Sequence, residues 1–554
     1  MVSGNALSPK VLGKVKEKIQ EAKTLSPLQK IRCLYDPPLP DALKKLTHLH
    51  PQFEVEEKKI SSEIATLFPL TSAAKAATFS LGDEVPSALL RVGVLFSGGQ
   101  APGGHNVICG LFDALKTLNP ENVLIGFLNG PKGLIDNAYR LLDEQMLAPF
   151  RNQGGFDLFG SSRTKIETDK QFEAVRKTVL AQSLDALVII GGDDSNTNAA
   201  LLAENFAAVG IKTSVLGIPK TIDGDLQNDA IEISFGFDSA SKTYAESIGN
   251  VLKDAKSAGK YYFFIRLMGR SASHLTLECA LKTHPNFVLI SEEVDASTIT
   301  LAQIVTQITD LICERASIGK QYGVVLIPEG IIEFIPECRQ LILELNALLA
   351  CGGNVPQDLT PASQNCFMSF PEGIQKQLIL DRDPHGNVQV SKIESERFII
   401  ELVKQELLKK DASFSLNAQP LFFGYEGRSC LPSNFDAKYT YALGYVAAVL
   451  GAWKMNGYMA TLKDLHLPVS QWQLSAYPIV KMLQLEERKG ENRPVIQKTL
   501  VDLQGKCFKE FASKRKAWKL EDLYLSPGPI QFFGPEEVTE EIPKLLASNF
   551  KTSK

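Results

Sequence analysis

From Arg91 onward the chain repeats one pattern: a short run of apolar residues, a turn rich in glycine or aspartate, then a stretch with helical spacing. The runs fall at 92–97, 123–128, 186–190, 215–218, 261–267, 287–290 and 322–327. Strands apolar on both faces and separated by helices predict an α/β fold whose parallel sheet is covered on both sides. In such sheets, ligands sit beyond the C-terminal ends of the strands. Upstream, residues 1–88 read as helical. Ser8-Pro9 is a cap and first-turn pair ahead of Val11, Leu12, Val15 and Ile19 on one face, and Ser26-Pro27 opens a second segment. Pro37, Pro38 and Pro40 interrupt that pattern. Between about 331 and 415, amphipathic stretches such as 338–350 and 396–410 predict a helical insertion between sheet elements. Residues 434–485 read as helices again, and Ser526-Pro527-Gly528-Pro529 lies in the tail.

Composition narrows the class without choosing within it. A length of 554 residues exceeds one ordinary hydrophobic core, so two or more domains are expected. The 44% apolar and 22% charged content is that of a globular protein. Lys and Arg (59) nearly balance Asp and Glu (63), which leaves no broad positive field for nucleic acid or an anionic membrane but permits a local phosphate site. Residues 1–23 carry lysines throughout and lack the apolar centre of a signal peptide, and no run of about 18 apolar residues occurs, so the cytoplasm is the expected compartment. Nine scattered cysteines without a Cys-x-x-Cys pair read as reduced thiols. Seven histidines form no His-Glu-x-x-His motif, so any metal is expected on oxygen ligands.

Three turns carry chemistry. The first, Ser97-Gly98-Gly99-Gln100-Ala101-Pro102-Gly103-Gly104, leads from a strand into a helix. Its four glycines admit close approach to an anion, and the helix N-terminus behind them favours phosphate. The second, Gly191-Gly192-Asp193-Asp194-Ser195, offers adjacent carboxylates at a strand end, which suits Mg2+ with bound phosphates and equally suits the start of a helix. The third is Lys220-Thr221-Ile222-Asp223-Gly224-Asp225. Here one carboxylate can face a metal while the other takes a proton from a hydroxyl, with Lys220 beside them for phosphate; a generic turn has a similar composition.

Together and in this order, the three segments resemble the phosphofructokinase family. The resemblance extends to Met268-Gly269-Arg270, Pro328-Glu329-Gly330 and Gly424-Tyr425-Glu426-Gly427-Arg428, and over nearly the whole chain to Pro529-Ile530-Gln531-Phe532-Phe533-Gly534-Pro535. It is strongest to the long, pyrophosphate-dependent branch. That implies two Rossmann-like domains with parallel-sheet cores facing across a cleft. The expected bounds are 89–250 for the pyrophosphate and Mg2+ side and 251–435 for the sugar-phosphate side, with helical segments at 1–88, at about 331–415 and at 436–554. The implied reaction is reversible phosphoryl transfer from pyrophosphate to the 1-hydroxyl of fructose 6-phosphate, in glycolysis or gluconeogenesis, by a homodimer.

Residue by residue, the resemblance implies catalytic roles for Asp223 as base and for Lys220, Asp194 and Arg270, and Mg2+ held by Asp193 with Asp225 behind it or joined through water. Pyrophosphate is expected on the amides of Gly98 and Gly99, on Arg163 and on Lys220. The sugar phosphate is expected on Thr221, Ile222, Asp223, Met268, Gly269, Arg270, Glu329, Tyr425, Glu426, Gly427 and Arg428, with Lys260 and Tyr261 supplied by a partner subunit. Core packing is the alternative reading of Met268. Tyr425 stands where bacterial ATP-using members carry histidine.

Asp194 and Lys220 occupy positions that are glycine in the ATP-using branch. A carboxylate at 194 repels a nucleotide's α-phosphate by on the order of a few kcal/mol at contact distance, and Lys220 compensates the charge of compact pyrophosphate. ATP as donor remains the alternative enzyme reading. A catalytically silent regulatory subunit is the other, although Asp193, Asp223 and Asp225 all stand.

Overall fold

The computed structural model describes residues 16–20, 22–55, 60–84, 89–382, 387–488 and 491–550. The start of the first predicted helix, from Ser8 through Val15, lies outside the described residues. Ser26 caps the helix Pro27–Cys33 in a reciprocal bond with Gln29, as its sequence suggests. The N-terminal segment is not helical throughout, however: β1 (Leu49–Phe53) and β2 (Ala77–Leu81) form an antiparallel hairpin.

The predicted strands follow. β3 (Arg91–Ser97) and β4 (Val123–Phe127) run parallel, short β5 (Tyr139–Leu141) turns back along β4, and β6 (Ser161–Ser162) pairs with the end of β3. β7 (Ala186–Gly191) and β8 (Ser214–Pro219) are buried at every position, which is why their sequence is a continuous apolar run. The helix Phe237–Ala258 then carries the chain to a second, wholly parallel sheet of β9 (Tyr262–Leu267), β10 (Phe287–Val288), β11 (Gly323–Pro328) and β12 (Ala418–Phe423), in the order β10-β11-β9-β12. Between β11 and β12 stand the helices Pro336–Ala350, Pro361–Ser369, Glu372–Leu380 and Ser395–Lys410, which occupy the predicted insertion. Their apolar faces and one face of the small sheet share a core that includes Phe264, Val325, Leu345, Phe398 and Val403.

The C-terminal part departs from expectation. The helical reading of 434–485 ends with the helix Asn434–Ala452. Beyond it, β13 (Tyr458–Lys463) and β14 (Gln473–Pro478) return to the first sheet, and β15 (Leu483–Arg488) pairs with β16 (Glu491–Ile496) as a hairpin. β13 lies parallel to β8, and β14 bridges β13 to β2, giving the order β1-β2-β14-β13-β8-β7-β3-β4-β5. The region after 435 is therefore an integral flank of the large sheet as well as a set of helices. The helix Asn434–Ala452 itself is buried almost all round, against the helix Gly104–Leu118.

Candidate active site

Strand register brings the six sequence motifs together. In the large sheet Phe96 of β3 lies opposite Ile190 of β7, and Gly191 lies opposite Pro219 of β8, so three parallel strands end nearly level. Their tips carry Gly98-Gly99, Gly192-Asp193-Asp194 and Lys220–Asp225. In the small sheet Leu267 is level with both Pro328 and Phe423. Met268–Arg270, Glu329 and Gly424–Arg428 therefore leave the same end. The two sets of tips face each other: a Cβ placed on Gly99 would lie 3.8 Å from Arg163 Nη2 and 3.9 Å from Arg428 Cζ. Arg428, expected on the sugar side, thus also borders the pyrophosphate turn.

The donor-side turn divides its glycines between two tasks. Gly98 takes φ +83°, and its N–H donates to the Ser162 carbonyl (2.9 Å), so that amide does not face the cleft and the expected pair of donors narrows to Gly99. Gly103 and Gly104 serve packing: a Cβ there would meet Thr440 Cγ2 at 2.6 Å and the Phe156 ring at 2.2 Å. Lys220 is buried, with Nζ 3.9 Å from the Cβ position of Gly98 and 3.8 Å from that of Gly192. Its amine therefore sits beneath the tips of β3 and β7. Burial lowers it to about 8, against the opposing pull of Asp223, Asp193 and Asp225.

Asp193 and Asp194 open the helix Asp193–Ala208, with Gly192 as its cap, and negative charge suits that first turn. Asp194 pairs with Lys165 (3.2 Å), a partner that the sequence did not single out. In the third turn the Thr221 hydroxyl accepts from the Asp223 N–H (3.0 Å) and donates to Asp225 Oδ1 (3.1 Å). Thr221 thus shapes the turn, and Ile222 is core. Burial, then the neighbouring Glu329, raise the Asp223 carboxyl; burial with Asp223 and Asp193 pushes Asp225 up to about 6.

On the acceptor side, buried Glu329 accepts from the Gly269 N–H (3.0 Å), and burial raises its carboxyl. Met268 is core, packed beneath Gly424. Glu426 accepts from the Gly424 N–H (3.0 Å), while Gly427 makes room for Tyr244, whose hydroxyl donates to the Gly424 carbonyl (2.5 Å). Arg428 lies over the exposed Tyr425 ring at 5.1 Å. Lys260 and Tyr261 precede β9, at the opposite end from Met268–Arg270, about 20 Å away along the strand. One chain does not bring them to this site. Sequence reasoning also missed Lys498, whose Nζ lies 3.5 Å from Asp193 Oδ2 and donates to Ser271 Oγ (2.6 Å). Burial opposes its charge, but Asp193 and Asp225 outweigh burial and hold it above the ordinary lysine value.

Among the described residues, no three His, Cys, Asp or Glu side chains form a closed metal cage. A magnesium ion needs none, since it commonly takes one or two carboxylates and completes its shell with water and phosphate. The donor set fits that mode: Asp193 already faces a cation, and Asp225, raised first by burial and then by Asp223 and Asp193, stands among carboxylates whose mutual repulsion a divalent ion would relieve.

Residues 91–450 match the family described as Phosphofructokinase. The chain belongs to the phosphofructokinase family. A relative named pyrophosphate–fructose 6-phosphate 1-phosphotransferase, from Treponema pallidum, is 50% identical over 470 residues, covering 82% of each chain. The beta subunit of that name from Solanum tuberosum is 48% identical over 532 residues, 93% of this chain and 92% of its own. Solved structures titled pyrophosphate-dependent phosphofructokinase share the fold. That from Nitrosospira multiformis has TM-score 0.51 at 17% identity, covering 71% of this chain and 84% of its own. That from Marinobacter aquaeolei has 0.52 at 16%, covering 75% and 86%.

Proposed function

We propose that this phosphofructokinase transfers a phosphoryl group from inorganic pyrophosphate to the 1-hydroxyl of fructose 6-phosphate, reversibly, giving fructose 1,6-bisphosphate and orthophosphate. The observation that carries the reading is Lys220: its amine stands beneath the two glycine tips, within the field of Asp223, Asp193 and Asp225, in space that a glycine at 220 would leave open for a longer donor. The names of its relatives, which cover most of the chain, point the same way.

The division of labour follows the sheets, with 89–250 on the donor side and 251–435 on the acceptor side. Gly99, Arg163 and Lys220 hold pyrophosphate. Arg270 and Arg428 take the sugar's phosphate with paired guanidinium donors, and Glu329 faces its hydroxyls. Asp223 accepts the proton of the 1-hydroxyl. A carboxylate suffices because the transition state is loose and positioning does most of the work. Asp193, backed by Asp225, would hold Mg2+, which when bound neutralises phosphate charge. A second copy of the chain would supply Lys260 and Tyr261, so the active assembly is a homodimer. Among the described residues no helix is long and apolar enough to cross a membrane, in keeping with a cytoplasmic enzyme.

The test is turnover of fructose 6-phosphate with Mg2+ and either donor, followed by the reverse reaction with orthophosphate. Pyrophosphate should exceed ATP by about 100-fold or more in kcat/KM, as a few kcal/mol of discrimination requires. Turnover with ATP alone would overturn the donor. Sugar-phosphate binding without turnover by either donor would make the chain a silent subunit.

A further inference from the structure

The segment running on from the last residue of β16 crosses between the two sides of the cleft, and it is fastened there largely through its backbone. The Ile496 N–H donates to Thr197 Oγ1 (3.2 Å), the Thr499 N–H to the Asp225 carbonyl (2.8 Å) and the Val501 N–H to Glu292 Oε1 (3.0 Å). The Thr499 carbonyl meets His274 Nε2 at 2.9 Å, and its hydroxyl donates to the Gln227 carbonyl. These partners come from the helix Asp193–Ala208, the loop after β8, and the helices His274–Thr283 and Ser291–Ala296 that follow β9 and β10. A strap tied to both sheets is thereby held at fixed depth.

From that strap Lys498 sends its side chain into the cleft. Its ammonium spans the division between the two sides: Asp193 tops β7, and Ser271 directly follows Arg270. Ser271 uses one of three N–H donors, and 3.5 Å to Asp193 is attraction without a good hydrogen bond. The side chain is 37% exposed, so an incoming anion can reach it.

We infer that Lys498 is a further catalytic residue, whose ammonium binds the phosphoryl group as it passes from donor to acceptor. The inference rests on the reaction proposed above. In that reaction the bond from the transferred phosphorus to the bridging oxygen of pyrophosphate breaks, and a bond from that phosphorus to the acceptor's 1-oxygen forms. The hydroxyl proton goes to Asp223, and orthophosphate leaves with the bonding pair. Negative charge spreads over the three equatorial oxygens in between, and a preplaced cation there stabilises the transition state more than either ground state.

The backbone ties allow a clean test, because Lys498→Met removes the ammonium and leaves the strap fastened. With the full-length protein, Lys498→Met should lower kcat with pyrophosphate by about 100-fold in both directions, with KM for fructose 6-phosphate within about threefold. Its thermal midpoint should stay close to that of the unaltered protein, and Lys498→Arg should recover about tenfold of the loss by restoring the charge. A kcat for Lys498→Met within threefold of the unaltered protein would overturn the inference. So would a loss confined to KM for the sugar, or an arginine variant no better than the methionine one. If the unaltered protein did not turn over pyrophosphate, the reaction itself would fall first, and this role with it.

Discussion

The tips of β7 and β8 and the tips of β9, β11 and β12 meet in one cleft, yet they hold charge in different ways. On the donor side, Lys220 and Asp225 are buried before any substrate arrives, and burial moves both toward neutrality, to about 8 and about 6. On the acceptor side, Arg270 is exposed and Arg428 rests over a tyrosine open to solvent. A group desolvated by the fold acts on charge that develops during reaction, whereas a guanidinium on an open tip mainly captures a charge already present. Substitutions on the two sides should therefore separate in kinetics, the first set in kcat and the second in KM.

The sharpest break would come at Asp223. Asp223→Asn should lower kcat by about 10³–10⁴-fold in steady-state assays while KM for fructose 6-phosphate changes by under about threefold; a change in KM alone would dissolve the contrast. Next, Asp194→Gly combined with Lys220→Gly should reduce kcat/KM for pyrophosphate by about 10²–10³-fold and raise turnover with ATP, measured with both donors on one preparation. Loss without any gain would mean that other walls of the pocket also exclude a nucleotide. Across the cleft, Arg270→Ala should raise KM for fructose 6-phosphate by about 30- to 100-fold with kcat nearly kept, the worth of a charge-assisted pair.

The smallest of these effects concerns what stands behind the donor turn. His105 is buried; the Leu158 N–H donates to its Nε2 (3.4 Å), and Nδ1 faces the Gln153 carbonyl (3.3 Å), an arrangement for a neutral ring. Burial lowers it to about 4 despite exposed Asp157 nearby. The unfolded ring takes a proton near its ordinary 6.5, so stability is full above that pH and is lost as pH falls toward 4. Between pH 7 and 4.5 this group should contribute a loss of roughly 2 kcal/mol. His105→Asn should flatten that part of the profile when urea midpoints are followed with pH.

Legibility in the sequence followed burial. β3, β4, β7, β8, β9, β10 and β11 could be read because their residues are almost all hidden, which leaves an unbroken apolar run between turns. β12 lies at the edge of its sheet, only half-buried and interrupted by Gln419 and Pro420, and so carries little signal. The helix Asn434–Ala452 is buried on all faces; its lack of a polar stripe removed the change of period that would have announced β13 and β14. Among site residues, the carboxylates and glycines of the turns were visible because those types cluster there. Arg428 was placed on one side because sequence order does not show that two sheets face each other. Lys498 sits in a plain Gln497-Lys498-Thr499 stretch without regular structure, and its one clue was the apolar Val495-Ile496 before it, the same grammar of strand and polar tip found elsewhere.

The seam between β2 and β14 bears on how the molecule is made. On the ribosome the hairpin of β1 and β2 emerges long before β14, the strand that joins it to the rest of the sheet, and β8 meanwhile lacks its neighbour β13. The nascent chain must therefore carry two unmatched β edges through most of its synthesis, the condition in which strands pair with strangers. Late closure of that seam makes protection of those two edges during synthesis a requirement distinct from the speed of local folding.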